Sequence, residues 1–184
     1  MVLPGPLRKL ALAAHLTCSV GWIGAVVAYL ALDLTVATSG DADAIRGGWL
    51  AMALVVRWAI VPLALASLLT GLVMAVGTKW GLFRHWWVLI SFVLTVLAIL
   101  VLLSEAGVVT RSAAAAAAPT TSLEELRALP PTLPHSVGGL LVLLLIQVLN
   151  VYKPQGLTPY GWRKQREERR RLGLERVGAR DAAG

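Results

Sequence analysis

The stretch Leu12–Ala25, which reads LAAHLTCSVGWIGA, decides the fold. It lies inside an apolar run from about Leu10 to Leu32, and about 20 such residues are enough to cross the hydrocarbon core of a membrane. The ionisable groups of this run are His15, Cys18 and Tyr29. An imidazole at that depth is costly without a partner, so His15 is either an interhelical hydrogen-bonding residue or a ligand for a cofactor.

Hydrophobic residues make up 57% of the chain and charged residues 15%, which excludes an ordinary soluble domain and indicates a small polytopic membrane protein. The sequence predicts an all-α membrane protein, a four-transmembrane-helix bundle over residues 1–152, followed by a basic tail over residues 153–184. The predicted spans run from about Leu10 to Leu32, Trp49 to Val76, Trp86 to Leu103 and His135 to Tyr152.

The connections between the spans are predicted from their polar and turn-forming residues. Span one is expected to end at Asp33, and Thr38–Gly48 reads as a polar loop. The alanine run Ala113–Ala118 is expected to lie in an exposed loop because prolines follow it. A short surface helix over Ser122–Ala128 is predicted from its Ser-x-x-Glu cap, and the tail is predicted to be helical in part.

The distribution of Lys and Arg predicts the orientation in the membrane. With both termini inside, thirteen of these residues lie on the inner side, against Arg46, Arg111 and Arg127 on the outer side. Four spans also require both termini to share a side. We therefore expect a multi-pass protein of the bacterial plasma membrane, N-in and C-in, with both termini cytoplasmic.

The tail carries eight Lys and Arg residues from Arg163 to Arg180. Two interpretations fit this charge: a solvated topology determinant, or a segment that binds the anionic headgroups of the surrounding lipid bilayer. The tail lacks a groove-reading or stacking module, so a nucleic-acid partner is not expected. The sequence leaves open whether the protein forms a homo-oligomer or has a redox partner in the membrane.

Four polar residues are predicted to share the inner layer of the bundle. They are His15 in span one, His85 at the start of span three, and Gln147 and Asn150 near the end of span four. Gln147 and Asn150 lie on one helical stripe with Ser136, which can face the interior. These four residues form the predicted cofactor site.

Arg57 in span two is placed in the outer half instead. It is predicted to turn inward or toward a polar partner, because a lipid-facing guanidinium costs at least about 2.5 kcal/mol on insertion scales. Glu105 and Asp33 are the candidate partners for an ion pair, and an anionic group such as a haem propionate is the alternative.

The histidines favour haem over a closed metal site. The chain has no H-x-x-x-H or C-x-x-C spacing, which leaves a closed zinc site without support. Two axial histidines from different helices are enough to hold haem b in a bundle. His15 and His85 are the predicted metal ligands, with Gln147 or Asn150 as hydrogen-bonding partners and Arg57 as an anion-binding residue.

A short motif adds a family resemblance. The segment HLTCSVGWIG, from His15 to Gly24, resembles the first helix of small bacterial membrane families around the HemJ protoporphyrinogen oxidases and the CopD copper-resistance proteins. With the KPQGLTPYG segment from Lys153 to Gly161, the chain resembles actinobacterial integral membrane proteins of that broad kind. The resemblance implies that His15 binds haem and that Arg57 is an intramembrane basic residue.

Two departures from these families bear on function. The HemJ pattern includes a lysine in a later helix, and spans three and four have none within the apolar core, which counts against porphyrinogen oxidation. CopD-type copper handling calls for Met-rich or His-rich tracts, but the chain has three Met and three His.

Three functions therefore follow from the sequence. The first is haem b binding between His15 and His85, with a role in electron transfer or haem handling. The second is a non-catalytic membrane accessory or scaffold protein, in which the same histidines make interhelical hydrogen bonds. The third is a copper or proton permease that uses His15 and Arg57.

Overall fold

The computed structural model describes residues 3–78 and 80–181, with side chains described as far as Gly173. Its helices are α1 (Gly5–Thr38), α2 (Ala42–Val55), α3 (Val61–Gly77), α4 (Trp86–Ala117), α5 (Leu123–Arg127), α6 (Leu133–Tyr152) and α7 (Pro159–Asp181). Four continuous helical segments are long and apolar enough to cross a membrane: Gly5–Thr38, Ala42–Gly77, Trp86–Ala117 and Leu133–Tyr152. The predicted all-α, four-helix membrane fold is confirmed, and the protein is a multi-pass integral membrane protein.

The second span contains a π-helical turn, Val56–Ile60, where α2 passes into α3. The turn is marked by a hydrogen bond from the Val61 amide to the Val56 carbonyl. Pro62 follows at once and has no amide hydrogen to donate, so a normal helical ladder cannot be completed here. Widening the helix by one residue carries the chain past the proline without breaking the span.

The helices extend beyond the predicted spans at one end of the bundle. Asp33 does not end the first helix, which runs on to Thr38, and the predicted loop Thr38–Gly48 is wrong beyond its first residues because α2 starts at Ala42. Asp41 caps α2 by accepting a hydrogen bond from the Asp43 amide at 3.2 Å. The first turns of α2 are polar in sequence, but one side of them is buried against the bundle through Ile45 and Trp49.

The alanine run is helical as far as Ala117 and packs on one side, which corrects the prediction of an exposed loop. Helix α4 continues to Ala117, and Ala113 and Ala116 are 5% and 0% exposed. Arg46 of α2 caps the end of α4, because its Nη1 donates to the carbonyls of Ala116 at 2.7 Å and Ala118 at 2.6 Å. The small alanine side chains allow α2 to pack closely against α4. The prolines that follow the run in the sequence gave no indication of this contact.

The predicted surface helix is confirmed as α5, Leu123–Arg127. Ser122 Oγ accepts from the Glu125 amide at 3.2 Å, and Glu125 Oε2 accepts from the Ser122 amide at 2.7 Å. This reciprocal pair is the capping box that the Ser-x-x-Glu motif predicts.

Helix α1 packs against α2, α3 and α6, and α4 packs against α2, α3 and α6. The shared core contains Trp22, Tyr29, Trp49 and Met52, all 6% exposed or less. Many large apolar side chains face outward instead; Leu10, for example, is 67% exposed. Such an outer surface is expected where the neighbouring solvent is lipid.

The bundle has two ends, which we call basal and apical. The basal end holds the start of α1, the end of α3, the start of α4 and the end of α6, and there the Leu3 amide donates to the Gly77 carbonyl at 3.0 Å. The apical end holds the α1–α2 connection and the segment from Ala117 to Leu133. The tail helix α7 is joined to the basal end.

Candidate functional site: the basal cavity around His15

His15 faces α3 in the basal half of the bundle. Its Nδ1 lies 3.1 Å from Thr70 Oγ1. The ring also packs on Gly71, where an added Cβ would lie 3.1 Å from the His15 Cε1 atom. The absence of a side chain at Gly71 therefore gives the imidazole its space.

The shortest hydrogen bond of Thr70 indicates which nitrogen of His15 carries the proton. The Thr70 hydroxyl donates its one hydrogen to the Ala66 carbonyl at 2.6 Å. It must then accept from the imidazole, so Nδ1 of His15 is the donor. In the neutral ring this leaves a lone pair on Nε2, which is the arrangement that metal-ligating histidines use.

A cavity of about 280 Å³ lies beside His15, enclosed by α1, α3, α4 and α6. Gln147 and Asn150 of α6 line it, as the helical stripe of span four predicts. No hydrogen bond involves either amide side chain within the described residues. The structure thus brings three of the predicted site residues, His15, Gln147 and Asn150, to one cavity.

Ser91 of α4 also lines this cavity and was not predicted from the sequence. It is 6% exposed, and its Oγ has no hydrogen-bond partner among the described residues. A buried hydroxyl without a partner costs about 1–3 kcal/mol, so this atom marks a position where a bound group would be stabilised. A serine in a long apolar span is the only signal that the sequence offered for it.

His85 is placed elsewhere. It precedes α4, and its Nδ1 lies 2.5 Å from the Trp80 carbonyl. Its ring packs edge-on against Trp80, with centroids 5.2 Å apart, and is tilted against Trp87. Trp80 and Trp87 line the basal cavity, but His85 does not. The structure therefore does not bring His15 and His85 together across one cavity.

Arg57 is exposed on the outer surface of the π-helical turn, whereas the sequence predicted that it turns inward or toward a polar partner. Its guanidinium lies 5.4 Å from the ring centroid of Trp58, which is 70% exposed. The predicted ion pair is not formed, because Glu105 pairs with His135 at 3.5 Å and Asp33 has other partners. Stacking on the neighbouring indole replaces the expected interhelical contact.

A second polar group lies at the apical end and was missed as a site. Asp33, 2% exposed, accepts hydrogen bonds from Thr132 Oγ1 and Ser136 Oγ, both at 2.7 Å. We call these three residues the Asp33 cluster. It joins α1 to the first turn of α6, whose positive end also favours a carboxylate. An aspartate inside an apolar run was the available signal, but Asp33 was interpreted as the end of span one and as a candidate partner of Arg57.

Comparison with protein-family models, with curated proteins and with solved structures finds no match for this chain. Among the described residues, no three His, Cys, Asp or Glu side chains are grouped so that they could hold a metal ion by themselves. A metal-containing ligand of the basal cavity would therefore be held by one histidine and by hydrogen-bonding groups.

Proposed function

We propose that this integral membrane protein binds haem b in the basal cavity and serves electron transfer or haem handling. The observation that carries the proposal is the 3.1 Å contact between His15 Nδ1 and Thr70 Oγ1 at the edge of the basal cavity. Because Thr70 accepts from Nδ1, the lone pair of Nε2 is available for a metal ion. The iron of haem supplies the redox chemistry when it is bound.

The other polar groups of the cavity suit the same ligand. Ser91 Oγ, Gln147 and Asn150 are unpaired among the described residues and can donate hydrogen bonds to a propionate or to a small axial ligand. Lys153 lines the basal edge of the cavity and would attract the anionic propionates. Trp80 and Trp87 supply apolar surface for a flat ring.

His15 would be the ligand that holds the haem iron, and His85 would have no ligand role. His85 lies outside the lining of the cavity and is held by the Trp80 carbonyl. Arg57 likewise has no part in the proposed site, because it lies exposed on the opposite half of the second span. The likeness to the first helix of HemJ proteins supports a haem role for His15 only, and porphyrinogen oxidation is not proposed.

The test is the absorption spectrum of detergent-purified protein from haem-replete cells, oxidised and then reduced with dithionite. We expect a Soret band that His15→Ala removes and that His85→Ala leaves in place. His135→Ala is the matched control, because His135 lies at the apical end. A wild-type protein without a Soret band would overturn the proposal and favour the accessory or scaffold function.

A second variant pair tests the tautomer. Thr70→Val removes the acceptor of Nδ1 and should weaken haem retention about 10- to 100-fold, as loss of a partner behind a metal-binding histidine does. Thr110→Val removes a similar hydroxyl of α4, which donates to the Ala106 carbonyl at 2.7 Å. Equal haem retention in both variants would contradict the role assigned to Thr70.

We also propose that the protein lies in a bacterial plasma membrane with both termini cytoplasmic. The thirteen-to-three distribution of Lys and Arg supports this orientation. Reporter fusions after Gly40 and Thr120 should report the outer side, and a fusion after Gly184 the inner side. An outer-side signal from the last fusion would refute the orientation.

A further inference from the structure

The tail helix α7 is fixed to the basal end of the bundle by backbone and side-chain contacts. The Thr158 amide donates to the Arg84 carbonyl at 3.1 Å, and the Trp86 amide donates to the Gly156 carbonyl at 3.2 Å. Thr158 Oγ1 also donates to the Phe83 carbonyl at 2.5 Å. Gly161 lies so close to the Arg84 carbonyl that an added Cβ would clash with it. The helix therefore starts at the same level as the ends of two membrane spans.

A bidentate ion pair sets the rotation of α7. The two terminal nitrogens of Arg84 bind the carboxylate of Glu168 at 3.1 and 2.7 Å. Glu168 and Gly161 are seven residues apart and lie on one side of the helix, which is the side that faces the bundle. The opposite side is thereby turned away from the protein.

That opposite side is basic and aromatic. Helical spacing places four exposed residues on it, and we call them the basic face: Trp162, Arg163, Arg166 and Arg170. The two acidic side chains nearby are already engaged, because Glu168 binds Arg84 and Glu167 pairs with Lys164 at 3.2 Å. The three arginines of this face have no ion-pair partner among the described residues. Their charge is therefore available to an external anion.

Exposed aromatic residues surround the start of α7. Phe83, Trp86, Tyr152 and Tyr160 are 58%, 48%, 79% and 46% exposed. Tryptophan and tyrosine collect at the level of lipid headgroups, where one part of the ring is apolar and another part is wet. The aromatic residues thus indicate that the first turns of α7 lie at the membrane surface.

We propose that the basic face of α7 binds the headgroups of anionic phospholipids. Headgroup phosphates are the anions closest to a helix that starts at the ends of two spans. Arginine binds phosphate through paired N–H donors, and Trp162 can insert beside the headgroups. The Arg84–Glu168 pair acts as a positioning contact that keeps this face turned away from the bundle, where it can contact headgroups.

The test is native mass spectrometry of the full-length protein in detergent, titrated with phosphatidylglycerol or with phosphatidylcholine. Each Lys or Arg of a cluster near an anionic surface makes the binding free energy more favourable. We therefore expect phosphatidylglycerol to bind at least about 10-fold more tightly than phosphatidylcholine. The variant R163Q/R166Q/R170Q should bring the two lipids to within about 2-fold of each other.

Two control variants keep the test specific. R163K/R166K/R170K retains the charge and should retain most of the preference, whereas R111Q/R127Q removes apical charge and should leave it unchanged. Equal binding of both lipids by the wild type, or an unchanged preference in the Gln variant, would overturn the proposal. The absorption spectrum of each variant is recorded in parallel, so that failure of the lipid site is not confused with absence of haem.

Discussion

The Asp33 cluster and the basal cavity are both polar regions inside an apolar bundle, and they differ in how their groups are satisfied. Both carboxylate oxygens of Asp33 accept a hydrogen bond, from Thr132 and from Ser136. In the basal cavity the Ser91 hydroxyl has no partner among the residues that the structure describes, and His15 is bonded on one side of its ring. A satisfied buried group holds helices together, whereas an unsatisfied one at a cavity is a position where a bound group would be stabilised.

Two serines make this contrast measurable. Ser136 and Ser91 are 7% and 6% exposed, so their burial is nearly the same. Ser136 donates to a carboxylate, and Ser91 Oγ has no partner in the part of the chain described. Substitution of Ser136 should therefore lower stability, whereas substitution of Ser91 should lower ligand binding and leave stability nearly unchanged.

The largest effect is expected at Asp33. Asp33→Ala removes two charge-assisted hydrogen bonds between α1 and α6 and should lower the free energy of unfolding by about 2–4 kcal/mol. Unfolding of the purified protein by heat or by sodium dodecyl sulfate measures this loss. Asp43→Ala, at an exposed residue, serves as the control. A loss at Asp33 no larger than at Asp43 would show that the cluster is not structural.

A smaller effect on stability is expected at Ser136, and almost none is expected at Ser91. Ser136→Ala should cost about 1–2 kcal/mol, since hydrogen bonds inside membrane bundles contribute less than their polarity implies. Ser91→Ala should change stability by less than about 0.5 kcal/mol, because it has no partner to lose, and should lower haem retention. If Ser91→Ala proves the more destabilising change, the cavity hydroxyl has a structural role.

The smallest effect concerns the tail and depends on pH. The hydrogen bond from Arg84 holds the pKa of the Glu168 carboxyl below its usual range. A lowered pKa means that the tie between α7 and the bundle is fully present above the pKa of an unpaired glutamate and is lost as the pH falls through the lowered value. Both groups are partly or fully exposed, so the change is local.

Limited proteolysis of the tail from neutral pH down to about pH 3 would measure this loss. Cleavage should rise on acidification in the wild type and should be high at every pH in Glu168→Gln. Glu167→Gln is the matched control, because its carboxylate binds Lys164 of the same helix rather than the bundle. A wild-type tail that is equally protected throughout would show that the ion pair does not hold it.

Much of the fold could be predicted because long apolar runs have few alternatives in a membrane. The four spans, the α5 capping box and the polar stripe of Gln147 and Asn150 all follow from local pattern and helical period. The errors fell at the apical end, in Thr38–Gly48 and Ala113–Ala118. There the residues are polar or weakly hydrophobic, and contacts from α2 to α4 decided that they are helical.

The candidate site could be predicted only in part. Position along each helix predicted that His15, Gln147 and Asn150 lie at a similar depth, and all three line one cavity in the structure. Depth alone could not show that His85 packs on Trp80 and Trp87, because that contact depends on how the α3–α4 connection folds back. Neither could it reveal Ser91, which resembles any other small residue of an apolar span.

The sequence by itself determined that this chain crosses a membrane four times, because hydrophobic length and backbone hydrogen bonding leave no other solution. Tertiary structure alone decided which polar groups are paired. Whether Asp33 meets two hydroxyls, whether Ser91 meets none, and which nitrogen of His15 keeps its lone pair all depend on side chains from different helices. Hydrogen bonds act over about 3 Å, and positions on separate helices are brought to that distance only by the packing of the whole bundle.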